Sequence, residues 1–190
     1  MVRISVIGTA GRKPDNLTKE LFNKMIDRCR EEIDSLGYEH EDITLISGGA
    51  AWADHLAVTL WLLDQDYNEL ILYIPCDWNG AEQKYADSGA SDWRVNPGKA
   101  ANYYHRLFSG IIGSDSLQQI TMAKESGCTL DTSAFGFFNR NSKVADTDVM
   151  IAFTWSKTGQ PNDGGTLDTW KKANPSCKKI HVSLNDLMKK

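Results

Sequence analysis

Three apolar runs that each lead into a glycine turn constrain this chain more than any other feature. Arg3–Ile7 is short and β-branched, and Gly8-Thr9-Ala10-Gly11-Arg12 follows at once. Ile43, Leu45 and Ile46 lead into Ser47-Gly48-Gly49-Ala50. Val149–Phe153 leads, through a loop over 156–163, to Gly164-Gly165-Thr166. Between these runs the apolar residues recur at helical spacing. Alternating strands and helices predict a parallel sheet covered by helices on both faces. All strand-to-helix turns of such a sheet share one edge, so the three glycine turns are expected side by side. Glycine admits positive φ and close approach to the backbone. A helix that starts at such a turn points its free N–H groups at it, which suits an anion such as phosphate.

The fold class expected is α/β, a Rossmann-like three-layer α/β/α arrangement with a mainly parallel sheet. Residues 1–190 read as a single domain, with no repeat or low-complexity segment. The first helix is expected to start at Pro14 and Asp15 or Asn16. It buries Leu21, Phe22, Met25, Ile26, Cys29 and Ile33, and stops near Gly37. The helix after Gly49, with Asp54 within its first turn or so, carries Leu56, Ala57, Leu60, Trp61 and Leu63. Trp52 and Trp61 are read as core or groove aromatics, and His55 as a surface or capping histidine. A third strand spans 70–74, and residues 76–98 form a turn-rich insertion with exposed aromatics at the ligand-binding edge. Helices follow over 100–108 and 116–125. Thr132 is expected to cap a further helix with Phe135, Phe138 and Val144 on one side. A last strand spans 180–182, and a tail helix 184–190.

The charge narrows the function. Lys and Arg number 21 against 25 Asp and Glu, giving a net charge of −4 and a pI near 5.5. That disfavours nonspecific duplex binding, which needs many basic contacts to phosphate. No apolar run approaches a membrane span, and no signal peptide is visible, so the expected location is cytoplasmic. Cys29, Cys76, Cys128 and Cys177 are scattered, with no Cys/His ligand cluster. They are read as free thiols, with no structural metal and no cofactor expected.

The ligand-binding candidates are Gly8, Thr9, Ala10, Gly11, Arg12, Ser47, Gly48, Gly49, Ala50, Asp54, Asn139, Arg140, Gly164, Gly165 and Thr166. Thr9 and Arg12 can bond phosphate oxygens, and Asp54 a ribose hydroxyl. Asn139, Arg140 and Asn141 cannot all face inward on one helix, and Arg140 is the residue expected at the anion. The first turn is neither a complete dinucleotide fingerprint nor a Walker A loop. A dehydrogenase is therefore less favoured.

The pattern resembles the SLOG superfamily of Rossmann-like proteins, which holds the LOG phosphoribohydrolases, the DNA-processing protein A family and the YpsA-like group. Its closest likeness is to the YpsA-like group. The likeness is carried by Val6-Ile7-Gly8-Thr9-Ala10-Gly11-Arg12, Ser47-Gly48-Gly49-Ala50-Ala51-Trp52-Ala53-Asp54, Asn139-Arg140-Asn141, Ala145-Asp146, Ile151-Ala152-Phe153 and Gly164-Gly165-Thr166. The resemblance implies a nucleotide or nucleotide-derived ligand at the glycine turns and a homodimer or higher homo-oligomer. The phosphoribohydrolases carry Pro-Gly-Gly-x-Gly-Thr-x-x-Glu, with a catalytic glutamate. Aligned on Gly165-Thr166, this chain has Asn162-Asp163 at the first glycine pair and Thr169 at the glutamate. Capture of a nucleotide, including a signalling nucleotide, is therefore the first expectation. The alternative is a nucleoside-monophosphate N-glycosidase in which Asp54, Glu82 or Asp92 supplies the carboxylate. Single-stranded DNA binding stands third.

Overall fold

The computed structural model describes residues 1–13 and 16–189. In chain order the strands are β1 (Val2–Gly8), β2 (Ile43–Ser47), β3 (Glu69–Tyr73), β4 (Trp78–Asn79), β5 (Lys84–Tyr85), β6 (Thr129–Asp131), β7 (Val149–Thr154) and β8 (Lys178–Ser183). The helices are α1 (Lys19–Asp34), α2 (His55–Leu63), α3 (Pro97–Ile112), α4 (Ser116–Glu125), α5 (Phe137–Val144), α6 (Gly164–Lys172) and α7 (Leu184–Met188). The expected α/β architecture is present. Six strands pair in the order β6-β3-β2-β1-β7-β8, and every pairing among them is parallel. The order runs outward from β1 in one direction and then resumes at β7 on its other side. The strand order therefore reverses between β1 and β7, and the edge beyond their C-terminal ends is where open α/β sheets hold ligands.

Period-two alternation assigns each strand residue to a layer. Ile4, Val6, Leu45, Leu70, Leu72, Ile151 and Phe153 join a core with Leu21, Met25, Leu56, Leu60 and Ile120 from α1, α2 and α4. Ile7, Ile46, Tyr73, Met150 and Ala152 face the other way, against Val144, Ala145 and Ala173 from the α5 and α6 segments. On α1, Leu21, Met25, Cys29 and Ile33 are all buried at four-residue spacing, as expected. Full burial of such aliphatic side chains contributes roughly 1.5–3 kcal/mol apiece.

Several boundaries differ from the sequence expectations. Helix α1 begins at Lys19, because Thr18 accepts the amide of Leu21 at 3.1 Å and caps it. Asn16 has φ of 69° and is not helical, while Pro14 and Asp15 lie outside the described residues. Helix α2 begins at His55, so Asp54 is its N-cap residue rather than part of its first turn. Helix α3 is longer than 100–108 because Asn96 caps it, Pro97 opens it and Gly113 closes it at φ 74°. Gly136 is the N-cap of α5, and Thr132 caps no helix among the described residues. Short strand β6 precedes it, helix α5 begins only at Phe137, and Phe135 and Phe138 are exposed. The insertion is not wholly irregular, since β4 and β5 form an antiparallel hairpin inside it, and Trp78 is half-buried. His55 is fully buried rather than at the surface.

Gly8 shows why the first turn must be glycine. It has φ of 151°, and a Cβ there would lie 2.1 Å from the Phe153 carbonyl oxygen and 2.7 Å from the Ala53 Cβ. Both neighbours are held in place. Thr9 N donates to Phe153 O at 2.9 Å and Ala53 N donates to Thr9 O at 3.1 Å. Gly8→Ala is expected to cost about 3 kcal/mol, combining backbone strain with overpacking. Urea unfolding followed by circular dichroism checks it, and a loss under about 1 kcal/mol would show that the turn can open.

Candidate functional site

Three glycine turns meet at the C-terminal edge of β1, β2 and β7. The first is stitched to the second by the Thr9–Ala53 bond and by Trp52. A Cβ on Gly11 would lie 2.6 Å from Trp52 Nε1, so the indole lies directly on that glycine. Trp52 is itself buried with φ of 64°, a conformation that costs a bulky residue energy and persists only where packing fixes it. Its ring packs against Phe22 and Phe108 at centroid distances of 6.0 and 4.8 Å.

The second turn is already occupied by a group of the chain's own. Asp54 Oδ2 accepts the amides of Gly48 at 3.1 Å and Ala50 at 3.3 Å. The Gly49 amide donates to Ser47 Oγ at 3.1 Å. Arg140 Nη1 lies 3.5 Å from the same Asp54 oxygen. Its guanidinium fills the space over Gly48, where a Cβ would lie 1.3 Å from Nη1. Both side chains are buried, Asp54 at 7% exposure and Arg140 at 8%. Burial pushes the Asp54 carboxyl above the usual range, opposed by Arg140 and the two turn amides. Asp54 thus takes up two of the amide donors that this turn presents.

Gly49 is held from the other side. Its carbonyl accepts from the Tyr85 hydroxyl and from His105 Nε2, the latter at 2.9 Å. His105 Nδ1 meets Ser116 Oγ at 2.8 Å. His55 packs edge-on against His105 and bonds Gln119 Oε1 at 2.7 Å through Nε2, while its Nδ1 has no partner among the described residues. Burial pulls His55 down to about 3 and His105 to about 4, so both rings are neutral at pH 7. Tyr85, His105 and Gln119 are not legible as site residues in the sequence. Tyr85 and His105 reach Gly49 from 36 and 56 positions away, Gln119 reaches His55 from 64, and no local motif marks them.

The third turn differs from the second. Gly164 has φ of 66° and opens α6, whose N-cap residue Asp163 makes no side-chain cap bond. The first intrahelical bond is donated by Leu167 to Asp163 O at 3.3 Å. The amides of Gly164, Gly165 and Thr166 precede it and are the orphan donors of a helix N-terminus. Thr166 Oγ1 donates to Gly8 O at 2.9 Å, which fixes this N-terminus against the first turn. Asn141 Nδ2 reaches Gly165 O at 3.4 Å and Asp168 Oδ2 at 3.1 Å, tying α5 to α6. Thr169, at the glutamate position, is buried and bonds Gly165 O at 2.9 Å. Asp168 is paired with Lys172 at 2.8 Å.

The remaining candidates separate by exposure. Arg12 is exposed beside the first turn. Arg140 and Asn141 are buried, whereas Asn139 is exposed and donates to Phe135 O at 2.9 Å. Glu82 lies on the β4–β5 hairpin, paired with Lys84 at 2.8 Å and bonded by Asn79. Asp92 is exposed in a turn, accepting the Arg94 amide at 2.9 Å. Neither is among the groups that meet at the glycine turns.

Fold and edge together define a Rossmann-like α/β protein with clustered glycine turns at the switch point between β1 and β7. No protein-family model matches the chain. It is 36% identical over 194 residues to "Uncharacterized protein R261" of Acanthamoeba polyphaga mimivirus, with 97% of each chain covered. The chain belongs to the family of that viral protein. No helix among the described residues is long and apolar enough to cross a membrane.

Proposed function

We propose that the chain binds a nucleotide or nucleotide-derived ligand at the C-terminal edge of its sheet, with the phosphate at the N-terminus of α6. One observation carries this reading. The orphan amides of Gly164, Gly165 and Thr166 are held against the Gly8 turn by the Thr166–Gly8 bond, at the switch point. Arg140 supports it, since its buried Nε has no hydrogen-bond partner among the described residues. A buried guanidinium donor without an acceptor is costly, and a ligand that displaces the atoms covering it would supply one. The second turn serves a different purpose in this reading. Its amides hold Asp54, which anchors Arg140 beside the site. Glu82 and Asp92 lie on the insertion with partners of their own, which favours capture over N-glycosidic hydrolysis. The ligand is met in a reducing cytoplasm, where the four buried cysteines stay as thiols. Self-association as a homodimer or higher homo-oligomer belongs to the same reading. Tyr103, Leu107 and Ile111, exposed at four-residue spacing on α3, give it an apolar stripe.

Arg12 provides the test. As a charge-assisted phosphate contact it contributes about 1.5–3 kcal/mol, so Arg12→Ala weakens binding roughly tenfold to a hundredfold. As an exposed side chain it contributes little to stability, within about 0.5 kcal/mol. The expected result is an unchanged melting temperature without ligand and a smaller shift with nucleoside 5′-monophosphates. Equal binding by variant and parent would overturn a phosphate held between the first turn and the α6 N-terminus that Thr166 fixes against it. Release of free base during incubation would assign hydrolysis instead.

A further inference from the structure

A second concave surface lies along α5 from the Arg140 guanidinium. A cleft of about 250 Å³ is lined by Trp93, Arg94 and the segment Phe135–Asn139. It faces solvent with three large aromatic rings, Trp93 at 42% exposure, Phe135 at 53% and Phe138 at 57%. Aromatic surface concentrated in one cleft, unlike scattered exposed rings, marks a recognition site. Trp93 belongs to the insertion after β3, while the phenylalanines open α5. The two segments meet through ring contacts, Trp93 to Phe137 at 6.0 Å and Trp93 to Phe138 at 6.3 Å, tilted by 45° and 48°. The place is fixed at the C-terminal edge, because the Gly136 amide donates to Pro75 O at 2.8 Å just beyond β3.

The cleft adjoins Arg140, whose neighbour Asn141 ties α5 to the first turn of α6. Phe137 and Arg140 are three residues apart and share a helix face, about 4.5 Å along the axis. The Arg140 guanidinium lies 5.6 Å from the Phe137 ring, and that ring touches Trp93. One turn of helix therefore separates a buried cation with an unpartnered Nε from a cleft walled by aromatic rings. From the rings we infer that this cleft is the stacking subsite for the planar base of the ligand whose anionic end meets Arg140. The inference rests on the nucleotide reading and adds the base subsite to it. Size agrees, since the cleft is smaller than the ~300–1,000 Å³ of pockets for larger organic ligands and suits one flat ring system. Chemistry agrees too. Stacking accepts any base, and the exposed Arg94 and Asn139 at the rim offer polar groups to a base edge. Arg94 already lies 5.4 Å from the Trp93 ring centroid, so the indole is a surface on which a planar cation rests.

The experiment compares a panel of nucleoside 5′-monophosphates with ribose 5-phosphate by calorimetry, on the parent, Trp93→Ala and Phe138→Ala. Both side chains are exposed, so unchanged melting temperatures verify that the variants fold. Trp93→Ala is expected to weaken the nucleotides about tenfold or more. Ribose 5-phosphate, which lacks a base, should bind parent and variants alike, within about twofold. If ribose 5-phosphate and the nucleotides bind but the variants bind nucleotides as tightly as the parent, the base subsite is wrong and the phosphate site stands. Absence of binding by either probe to the parent overturns both. If the variants lose self-association in sedimentation while nucleotide affinity holds, the rings belong to an interface with a second copy, and the stacking subsite is overturned.

Discussion

Arg140→Met is expected to destabilise the protein by about 3–5 kcal/mol at pH 7, because it leaves the buried Asp54 carboxylate without its countercharge. The two turn amides of Gly48 and Ala50 remain as partners, and they do not replace a full charge. The pH dependence of the deficit identifies the cause. Burial already raises the Asp54 carboxyl above its unfolded value, and removal of Arg140 raises it further. A carboxyl with a raised folded value gives its full stability below the unfolded value and loses it as pH rises through the folded one. The difference between parent and variant should therefore shrink as pH falls from 7 toward 5. Denaturant unfolding at both pH values measures it. A deficit that is the same at both pH values would assign the cost to packing on Phe137 instead. The double variant Asp54→Asn/Arg140→Met should recover much of the loss, since no charge is then buried.

Acid should weaken the protein through a second pair of groups. His55 and His105 are buried neutral, at about 3 and about 4 against an unfolded value near 6.5. Below about pH 6.5 the unfolded chain takes up two protons that the folded chain refuses. Their contribution is full above about pH 6.5 and falls as pH drops, by about 4 kcal/mol between pH 7 and pH 5. His181, lowered by partial burial, acts in the same direction. His40 acts oppositely. Desolvation pulls it down, but bonds to Asp64 and Asp34 win and raise it. Its stabilisation is complete below the unfolded value and disappears as pH rises. Asp54 also favours low pH. Comparison with His105→Gln removes these other groups. The variant should lose about 2 kcal/mol less than the parent between pH 7 and pH 5. Equal losses would mean that His105 is accessible to protons in the folded state.

The architecture is legible where hydrophobic pattern and glycine turns agree. Five of the six sheet strands, the buried face of α1 and the helix that opens at Gly164 follow from apolar spacing and turn residues alone. Strand β6 does not, because three half-buried or exposed edge residues carry no alternation to read. The start of α1 differs from expectation because Pro14 is of a type common in first turns, and the capping bond of Thr18 outweighs that tendency. His55 reads as a surface residue by type, yet α2 is apolar on nearly every side, which is the mark of a helix enclosed by other elements. At the candidate site the glycines, Arg140 and the α6 N-terminus stand out as types suited to an anion. The engagement of Asp54 with the Gly48 and Ala50 amides does not, since a carboxylate a few residues on can turn outward or back. Only the tertiary position of Arg140 decides it.

The most direct measurement is an amide NMR titration of the parent with adenosine 5′-monophosphate and, separately, ribose 5-phosphate. Binding as proposed shifts the amides of Gly164, Gly165 and Thr166, together with Gly8–Arg12, saturably and at the same midpoint. The amides of Gly48 and Ala50 move little, because Asp54 holds them throughout. Saturable shifts confined to other parts of the molecule, or no shift with either compound at millimolar concentration, would contradict a phosphate site at the α6 N-terminus.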